Sequence, residues 1–527
     1  MASCTRFASP ARRWLWRGLL ALAVAGSGGC AHAPPPAAVV VPASPLHGIW
    51  VIAQGPPFPG PRYLRIVQRD GQLQGSITTD WYGDVPMQHL RIDGDVAHFQ
   101  IDNGNPRLPA QPWTATLEHD GQLHVAGRIW DEQVDVRASR GSEADAARLA
   151  FPVAPLPNYA ALPSDGLART PPLGWSSWNR FAEHIDDATV RRIADAMVAS
   201  GLRDAGYVYV NIDDGWQGQR DRDGVLQPNA RFPDMRALAD YVHGKGLKLG
   251  LYSSPGPKTC AGYTGSYGHV EQDARTWAGW GVDYVKYDLC SGEGIFREPQ
   301  QVRRAYLQMG QALRATGRPI VYSLCQYGRD HVGQWGREVG GHLWRTTGDI
   351  EDSYAKMASI GFDRNGDPAD AGPGGWNDPD MLEVGNGGMS VDEYRTHLAL
   401  WALSAAPLLL GNDLRQMTLA LLRNRDVLAI DQDALGVQGK AVRKDGAIEI
   451  WRKPLADGGV ALGVFNRDTQ PHRVALSAED AGTALRGRRW RDLWRGGSRP
   501  AGELRSVQVA AHGVVLLRLS PPAAHPH

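Results

Sequence analysis

The stretch VDYVKYDLC, residues 282–290, combines the pattern of a buried β-strand with side chains that could do chemistry. Successive side chains of a strand point to opposite faces, so Lys286, Asp288 and Cys290 share one face and the apolar residues between them share the other. A carboxylate beside a lysine on such a face is typical of a reactive or ligand-binding site. A structural acid that only pairs with Lys286 would give the same pattern, and at this point both interpretations stand.

Other apolar runs along the chain also end in acids, aromatic residues or a cation. These residues are Trp178, Asp213, Asp214, Tyr252, Arg345, Asp349, Trp376, Asp378 and Asp380. By strand alternation we expect Arg345 and Asp349 to share a face. If the ends of these runs meet at one opening, the acids raise one another's pKa and burial disfavours their ionisation. Such a cost in free energy indicates a functional use.

A metal site and a pair of catalytic acids are two uses for such a set of carboxylates. Metal-dependent hydrolase barrels usually place His ligands close together in sequence, and residues 165–435 contain no HxH or HxxxH pair at a strand end. We therefore expect neither a metal nor a cofactor, with magnesium bound by oxygen ligands alone as the alternative. Acids together with Trp178 and Tyr252 suit a sugar, whose hydrolysis needs one carboxyl group to attack or activate water and another to protonate the leaving oxygen.

These residues need a regular scaffold, and residues 165–435 have the pattern of one. Apolar strand candidates alternate with amphipathic helical stretches such as DATVRRIADAMVASGLRDAG and MRALADYVHGKG. Eight strand-helix units in roughly 250 residues predict an α/β fold, a (β/α)8 TIM barrel with its site at the C-terminal ends of the strands. An open, doubly wound sheet is the alternative, but no dinucleotide or phosphate loop follows any strand.

Two all-β regions flank the predicted barrel. Residues 46–145 contain short alternating runs with Asp-Gly hairpin signals at residues 70 and 120, which predict an extra small N-terminal β domain. Its aromatic residues fit glycan binding and plain packing equally well. Residues 436–522 alternate again without helical stretches and predict a C-terminal antiparallel β-sandwich.

The first 45 residues read as an export segment. Arginines ahead of a short apolar run predict a bacterial signal peptide over residues 1–29. Small residues before Cys30 favour a lipid anchor at that cysteine, with cleavage after Ala33 as the alternative. The Pro/Ala-rich residues 30–45 are typical of a stiff tether. We therefore expect export from a bacterial cytoplasm to a periplasmic or outer-membrane-anchored lipoprotein.

The charge balance and the cysteines narrow the possible partners and bonds. Lys plus Arg equals Asp plus Glu at 56 each, so the sequence predicts no nucleic-acid partner and contact with a membrane only through the possible anchor. The oligomeric state is not readable from the sequence. An exported location permits a disulfide among Cys260, Cys290 and Cys325, although three unpaired cysteines are an alternative.

Eight ordered motifs between residues 168 and 440 resemble those of glycoside hydrolase family 27, the α-galactosidases or melibiases. The motifs are GWSSWNRF, NIDDGW, GLKLGLYSSPGPKTCAG, YVKYDLC, WRTTGDIEDS, GPGGWNDPDML, APLLLGNDLR and DVLAIDQDALGVQG. The resemblance implies a retaining exo-glycosidase that releases terminal α-galactosyl residues from oligosaccharides or related glycans through a covalent glycosyl-enzyme. The N-terminal β domain lies outside the resemblance.

The resemblance also implies roles for single residues. Asp288 would be the nucleophile and Asp349 the general acid/base, with their carboxyl groups about 5 to 5.5 Å apart, as retention requires. The sugar would be bound by Trp178, Asp213, Asp214, Tyr252, Lys286, Gln326, Arg345 and Asp380. Cys260 and Cys290 match a disulfide of the family at the pocket wall.

One motif departs from the family pattern. Where α-galactosidases commonly have Cys-Glu-Trp after the fifth strand, this chain has Cys325-Gln326-Tyr327. The glutamate contacts the O2 region of the sugar, so the neutral amide of Gln326 weakens the charge compensation for Arg345. This opens two alternatives. One is the same mechanism on an N-acetyl-α-galactosaminide, a β-L-arabinopyranoside or an isomalto-type glucan, and the other is a non-catalytic glycan-binding lipoprotein.

Overall fold

A computed structural model describes residues 44–52, 61–102, 104, 109–129, 132–414, 419–503 and 505–521. The predicted signal peptide, the anchor at Cys30 and all but the last two residues of the predicted tether lie outside the described residues. No helix in the described part of the chain is both long and apolar enough to cross a bilayer.

The N-terminal region is a single antiparallel sheet. Its strands β1 to β9 span Gly48–Ile52, Pro61–Arg69, Gln72–Thr79, Gly83–Pro86, Gln88–Asp93, Val96–Ile101, Gln111–Leu117, Leu123–Ile129 and Glu132–Gly141. They lie in the order β4-β3-β2-β1-β9-β8-β7-β6-β5. Only Met87 separates β4 from β5, so the chain passes directly from one edge strand of the sheet to the other.

The Asp-Gly signals lie at turns of this sheet, as the sequence predicts. Arg69 pairs with Gln72, which leaves Asp70 and Gly71 as a two-residue loop with φ angles of 52° and 76°. Both angles are left-handed, the conformation that this tight hairpin requires. The helix α1, Glu143–Leu149, follows the sheet and contributes Ala146 to a cluster with residues of β1 and β2. The predicted domain boundary at residue 145 therefore falls inside a helix that packs on the first domain.

The middle of the chain forms the predicted barrel. Strands β10 to β19 span Leu173–Ser176, Tyr209–Asn211, Gln217–Arg220, Leu226–Pro228, Lys248–Ser253, Tyr284–Asp288, Val321–Cys325, Leu343–Arg345, Trp376–Asp378 and Leu408–Leu410. β12 and β13 form a separate hairpin, and the other eight strands lie parallel in one sheet. A parallel bridge between Leu382 and Leu410 joins the two ends of this sheet into a ring. The prediction of a (β/α)8 barrel is confirmed.

Helices cover the outside of the ring. Helices α2 to α12 span Trp178–Phe181, Asp187–Ala199, Met235–Gly244, Val270–Trp280, Gly292–Ile295, Pro299–Ala315, Val332–Trp335, Tyr354–Gly361, Val391–Leu403, Leu419–Leu422 and Arg425–Asp431. α3 begins where the Asp186 side chain accepts a hydrogen bond from the Thr189 backbone N–H, and it buries residues at helical spacing, including Val190 and Ile193. The helix predicted for this stretch is confirmed.

The two faces of β15 are both buried, against different surroundings. Val285 and Tyr287 are fully buried in the large core between the ring and its helices. Lys286 and Asp288 point to the inside of the ring, as alternation predicts. Trp376 also lies inside the ring, in a buried apolar cluster with Tyr209 and other strand residues. The strand pattern therefore separates packing residues from candidate site residues.

The C-terminal region forms two antiparallel sheets. Strands β20 to β27 span Lys440–Asp445, Ile448–Pro454, Val460–Asn466, His472–Ala475, Arg489–Asp492, Gly496–Pro500, Ser506–Val509 and Val514–Leu519. Six of them form the sheet β20-β21-β22-β27-β24-β25, and β23 pairs with β26. The predicted sandwich is confirmed, but its predicted lack of helices is wrong. α13, Ala478–Ala481, forms because Ser477 and Asp480 cap its first turn reciprocally.

Candidate active site

The carboxylate of Asp288 lies at the end of β15, and its side chain is fixed by several donors. Its Oδ2 accepts a hydrogen bond from the Tyr252 hydroxyl at 3.0 Å. Its Oδ1 accepts from the Leu289 backbone N–H at 2.8 Å and from the Tyr327 hydroxyl at 2.5 Å. Burial raises the pKa of Asp288 above its usual value, although the charge of Lys286 and the Tyr327 hydrogen bond oppose this rise. The result is a buried but oriented nucleophile candidate.

Lys286 links the nucleophile candidate to the acids of the second barrel strand. Its ammonium group donates to Asp213 Oδ2 at 2.9 Å, and Ser176 Oγ donates to the same oxygen at 3.2 Å. Burial alone would lower the pKa of Lys286, but the charges of Asp213 and Asp288 outweigh it and raise this pKa well above its usual value. The lysine therefore stays charged inside the ring.

Asp214 is buried beside this cluster and is only partly satisfied. Its Oδ2 accepts from the Ala261 backbone N–H at 2.7 Å. Its Oδ1 is buried and has no hydrogen-bond partner among the described residues. Burial raises the pKa of Asp214 to about 7, although hydrogen bonds from the Ala261 backbone and the Thr259 side chain oppose this rise. A buried oxygen without a partner costs free energy, so this atom is a candidate acceptor for a ligand hydroxyl.

Arg345, Asp349 and Asp380 form the second charged group of the site. An Arg345 Nη2 lies 3.0 Å from Asp349 Oδ1 and 3.0 Å from Asp380 Oδ2. β17 ends at Arg345, so Asp349 lies in the following loop, where strand alternation does not apply. Arg345 and Asp349 therefore meet through their ion pair and not, as predicted, because they share a strand face. The Arg345 Nε is buried and has no hydrogen-bond partner in the described part of the chain.

The two acids paired with Arg345 differ in exposure and in pKa. Asp349 has a side chain 68% exposed, whereas that of Asp380 is 6% exposed. Burial of the site favours neutral Asp349, but the charges of Arg345 and Lys286 outweigh it and hold the pKa of Asp349 below its usual value. Burial raises the pKa of Asp380.

Two residues of the seventh barrel strand lie below the mouth. Trp376 is fully buried, and its indole N–H donates to the Ala168 carbonyl at 2.8 Å, so it is a core residue. Asp378 accepts from the Asp380 backbone N–H at 2.9 Å, and burial raises the pKa of Asp378 to about 6. Asp378 and Lys286 are among the residues that line a cavity of about 20 Å³ inside the ring, enough for about one water.

The remaining predicted sugar-binding residues have different surroundings. Trp178 begins α2 and is half-buried. The Tyr252 ring is buried, and its hydroxyl contacts Asp288 and Cys290, so this residue acts on the nucleophile candidate rather than as a stacking surface. Gln326 is fully buried; its Oε1 accepts from the Arg329 backbone N–H at 2.7 Å, and its Nε2 has no partner among the described residues.

A disulfide forms one wall beside Asp288. The structure joins Cys260 to Cys290, the pair that the family resemblance implies, and leaves Cys325 as a buried free thiol. The Cys260 Sγ lies 3.5 Å from the Tyr327 hydroxyl. Asp288 and both bonded cysteines lie close enough together to suggest a metal cluster, but sulfurs that are bonded to each other do not supply thiolate ligands.

Tyr327 is the site residue that the sequence reasoning left out. Asp288 pairs in register with Cys325 across the parallel strands β15 and β16. The loop after β16 therefore begins beside the nucleophile candidate. This register and the departure from the family motif at Tyr327 are the signals that could have identified it.

Two family models match the chain. The model described as alpha galactosidase A matches residues 170–433, and the model described as alpha galactosidase C-terminal beta sandwich domain matches residues 445–519. These matches confirm the resemblance found in the motifs.

Individual proteins are similar over the same regions. An α-galactosidase of Cyamopsis tetragonoloba is 47% identical over 373 residues, which are 68% of this chain and 88% of the relative. The crystal structure of α-galactosidase I from Mortierella vinacea has a TM-score of 0.64 and 33% identity, covering 68% of this chain and 99% of that one. A solved Bacteroides fragilis structure, with a TM-score of 0.64 and 32% identity, covers 91% of this chain and 99% of that one. This last similarity extends beyond the barrel and the sandwich.

Proposed function

Because the chain belongs to the α-galactosidase family, whose members are retaining glycoside hydrolases, we propose that Asp288 is its nucleophile and Asp349 its general acid/base. The protein is an α-galactosidase that hydrolyses terminal α-galactosyl residues. The observation that carries the assignment is the contrast between the two acids. Asp288 is 5% exposed and held by three donors, whereas Asp349 stands at the mouth with its side chain 68% exposed.

The proposed first step forms the glycosyl-enzyme. A carboxylate oxygen of Asp288 attacks the anomeric carbon, and the bond from that carbon to the leaving oxygen breaks while Asp349 donates a proton to this oxygen. Lys286 favours the ionised form of Asp288, since its positive charge opposes the rise in pKa that burial causes. In the second step Asp349 takes a proton from water, whose oxygen bonds to the anomeric carbon as Asp288 leaves.

The electrostatics of the site fit this exchange of roles. In the free enzyme Arg345 holds the pKa of Asp349 low, which suits a base rather than an acid. A bound sugar covers the exposed carboxyl of Asp349, and the resulting desolvation raises its pKa before the first step. Forming the glycosyl-enzyme removes the negative charge of Asp288, which lowers the pKa of Asp349 again for the second step.

We propose that the partly satisfied polar atoms bind the galactosyl hydroxyls. Asp214 Oδ1, Arg345 Nε and Gln326 Nε2 are buried and have no partner in the described part of the chain. Asp213 and Lys286 add a charge pair beside them. A sugar is a suitable ligand because each hydroxyl both donates and accepts, so it satisfies a carboxylate and a cation at once. Trp178 at the mouth provides an apolar surface for the ring.

The assignment is tested with Asp288→Asn, which keeps the size of the side chain, replaces one acceptor oxygen by an NH2 group and is a far weaker nucleophile. We expect no detectable hydrolysis of a nitrophenyl α-galactoside and an unchanged melting temperature within about 2 °C. NMR of the wild-type reaction should show the α-anomer of galactose as the first product. Wild-type turnover by Asp288→Asn, or β-galactose as the first product, would refute the assignment.

Gln326 supports a second candidate, the same mechanism on a different glycone. Arg329 fixes its Oε1, so the amide presents an N–H donor where the usual glutamate presents an acceptor. A substrate with an acceptor at C2 would use this donor better. Nitrophenyl α-galactoside, N-acetyl-α-galactosaminide, β-L-arabinopyranoside and α-glucoside separate the two candidates. The first candidate requires the highest kcat/KM on the α-galactoside for wild-type protein, and the second requires it on another member.

We also propose that the enzyme is exported and anchored through Cys30. A cation-rich, apolar segment ahead of that cysteine and the Pro/Ala-rich stretch after it support the proposal. Expressed with its complete N-terminus in a Gram-negative host, the protein should incorporate labelled palmitate and fractionate with the membranes. Cys30→Ser should remove both properties, and equal labelling of this variant would contradict the anchor.

A further inference from the structure

The loop after β16 has a strained backbone. Tyr327, Gly328, Asp330 and His331 all have positive φ angles, of 64°, 79°, 54° and 54°. Residues other than glycine seldom adopt such angles, because the side chain then crowds the backbone. A Cβ at Gly328 would lie 2.0 Å from the Thr346 carbonyl oxygen, so this position requires glycine. A backbone of this kind persists only where surrounding contacts hold it, and such strain concentrates at functional sites.

Arg329 supplies the contacts that hold this loop. Its guanidinium pairs at 2.9 Å with Glu293, which is 2% exposed. Its backbone N–H donates to the Gln326 side chain at 2.7 Å. Its second Nη donates to the carbonyl of Gly104 in the N-terminal domain at 3.4 Å. The loop is therefore fixed from the barrel and from the N-terminal β domain.

The strained loop places the Tyr327 hydroxyl within hydrogen-bond distance of the Asp288 carboxylate. The Tyr327 hydroxyl donates to Asp288 Oδ1 at 2.5 Å, and the Leu289 backbone N–H donates to the same oxygen at 2.8 Å. Oδ1 therefore accepts two hydrogen bonds. Oδ2 accepts from Tyr252 at 3.0 Å and keeps a second lone pair for the anomeric carbon. Burial and the charge of Asp288 raise the pKa of Tyr327 well above 10, so it stays a donor throughout the working pH range.

We propose that Tyr327 is a positioning residue that acts through Asp288 and stabilises the carboxylate of that residue when the glycosyl-enzyme is hydrolysed. The proposal rests on the proposed role of Asp288 as nucleophile. Tyr327 acts through Asp288 and needs no contact with the sugar. In this chain a phenol stands where the family motif Cys-Glu-Trp has an indole.

The hydrogen bond should matter most in the second step. There the water oxygen bonds to the anomeric carbon, its proton passes to Asp349, and the electron pair of the breaking bond returns to Asp288. Negative charge then grows on Oδ1 as well as Oδ2, so the hydrogen bond from Tyr327 strengthens in the transition state. In the first step the carboxylate loses charge and the same bond weakens. Loss of the hydroxyl therefore slows hydrolysis of the glycosyl-enzyme more than its formation.

Tyr327→Phe tests the proposal on the mature full chain. With a nitrophenyl α-galactoside we expect kcat to fall about tenfold and KM to fall with it, leaving kcat/KM within about threefold of wild type. Intact-mass spectrometry of the quenched variant should show accumulated hexosyl-enzyme. Tyr241→Phe is the matched control, because this tyrosine donates to Asp195 on the outer helices at 2.8 Å; it should leave kcat and KM unchanged.

A merely structural loss at Tyr327 would lower kcat/KM as much as kcat and would accumulate no intermediate. That result, or an unchanged kcat, overturns the proposal. Arg329→Gln, which removes the Glu293 ion pair, should shift kcat and KM in the same direction but less. Failure of the proposed function is separate, since it would appear as turnover by Asp288→Asn whatever Tyr327→Phe does.

Discussion

Replacing Asp214 by asparagine should stabilise the fold and lower the activity of the enzyme at the same time. The Asp214 carboxyl is 1% exposed, and only its Oδ2 has a backbone donor, from Ala261. Its Oδ1 is the buried oxygen that we assign to a sugar hydroxyl. Asparagine keeps an oxygen for Ala261 and carries no charge. The buried charge of Asp214 therefore lowers the stability of the free protein, although it favours binding of the sugar.

The magnitude follows from the pKa of Asp214. The ordinary value is 3.8 and burial raises the folded value to about 7. Between these values the folded state binds more protons than the unfolded state, so stability falls as pH rises from about 4 to about 7 and the loss is complete above pH 7. At about 1.36 kcal/mol for each pH unit in this window, the loss at pH 8 is about 4 kcal/mol.

Asp214→Asn escapes this loss because asparagine does not ionise. With an unfolding entropy of about 2.1 cal/mol/K per residue, the 527-residue chain should gain about 4 °C in Tm at pH 8 and almost nothing at pH 4. kcat/KM should fall about 10- to 100-fold, because the sugar loses a hydrogen bond to a charged acceptor.

Calorimetry at both pH values measures the gain, with Asp240→Asn, an exposed acid on α4, as the control. The reasoning is refuted if the Tm of Asp214→Asn changes equally at both pH values, or if the variant is less stable than wild type at pH 8.

Three further perturbations test the charges and the disulfide of the site. Lys286→Met should cost about 3 to 5 kcal/mol of stability, because it leaves a buried acid unpaired. Since the pKa of Lys286 is raised, the contribution of its charge to stability is complete at neutral pH and is lost only in strong alkali. The same variant should move the acid limb of the kcat/KM profile, set by Asp288, to higher pH, and an unmoved limb would contradict the pairing. Asp349→Ala should lose far more activity on an oligosaccharide than on a nitrophenyl α-galactoside, whose leaving group needs no acid, and equal losses would exclude Asp349 as the acid. Cys260→Ser should lower the free energy of unfolding by about 2 to 4 kcal/mol in denaturant titrations. A value equal to that of wild type would show that the disulfide does not stabilise the fold.

Strand alternation was sufficient to place much of this site. The pattern of residues 284–288 separates the apolar residues that pack on helices from Lys286 and Asp288 inside the ring. This works because side chains of a buried strand have only two directions. The alternation of apolar runs with helical stretches predicted the eight strand-helix units of the barrel. The Asp-Gly pair at residue 70 marked a hairpin because these residue types adopt the left-handed φ angles that the turn requires.

Residues beyond the strand ends were not accessible to such reasoning. Asp349 lies four residues past the end of β17, so its position depends on Arg345 rather than on alternation. Tyr327 reaches Asp288 through a left-handed backbone that Arg329 fixes from a distance. Alternation also places Trp376 on the inner face of its strand. It does not show whether that side chain contacts the sugar or, as in the structure, packs in the apolar core of the ring. These positions are set by contacts between segments far apart in sequence.

The identity of the nucleophile is tested most directly by trapping the covalent intermediate. A 2-deoxy-2-fluoro-α-galactosyl fluoride slows both steps and should leave one hexosyl group on the protein. Peptide mapping of the labelled protein should place this group on Asp288, within the segment YVKYDLC. A label on any other carboxylate, or inactivation without a label, would contradict the account.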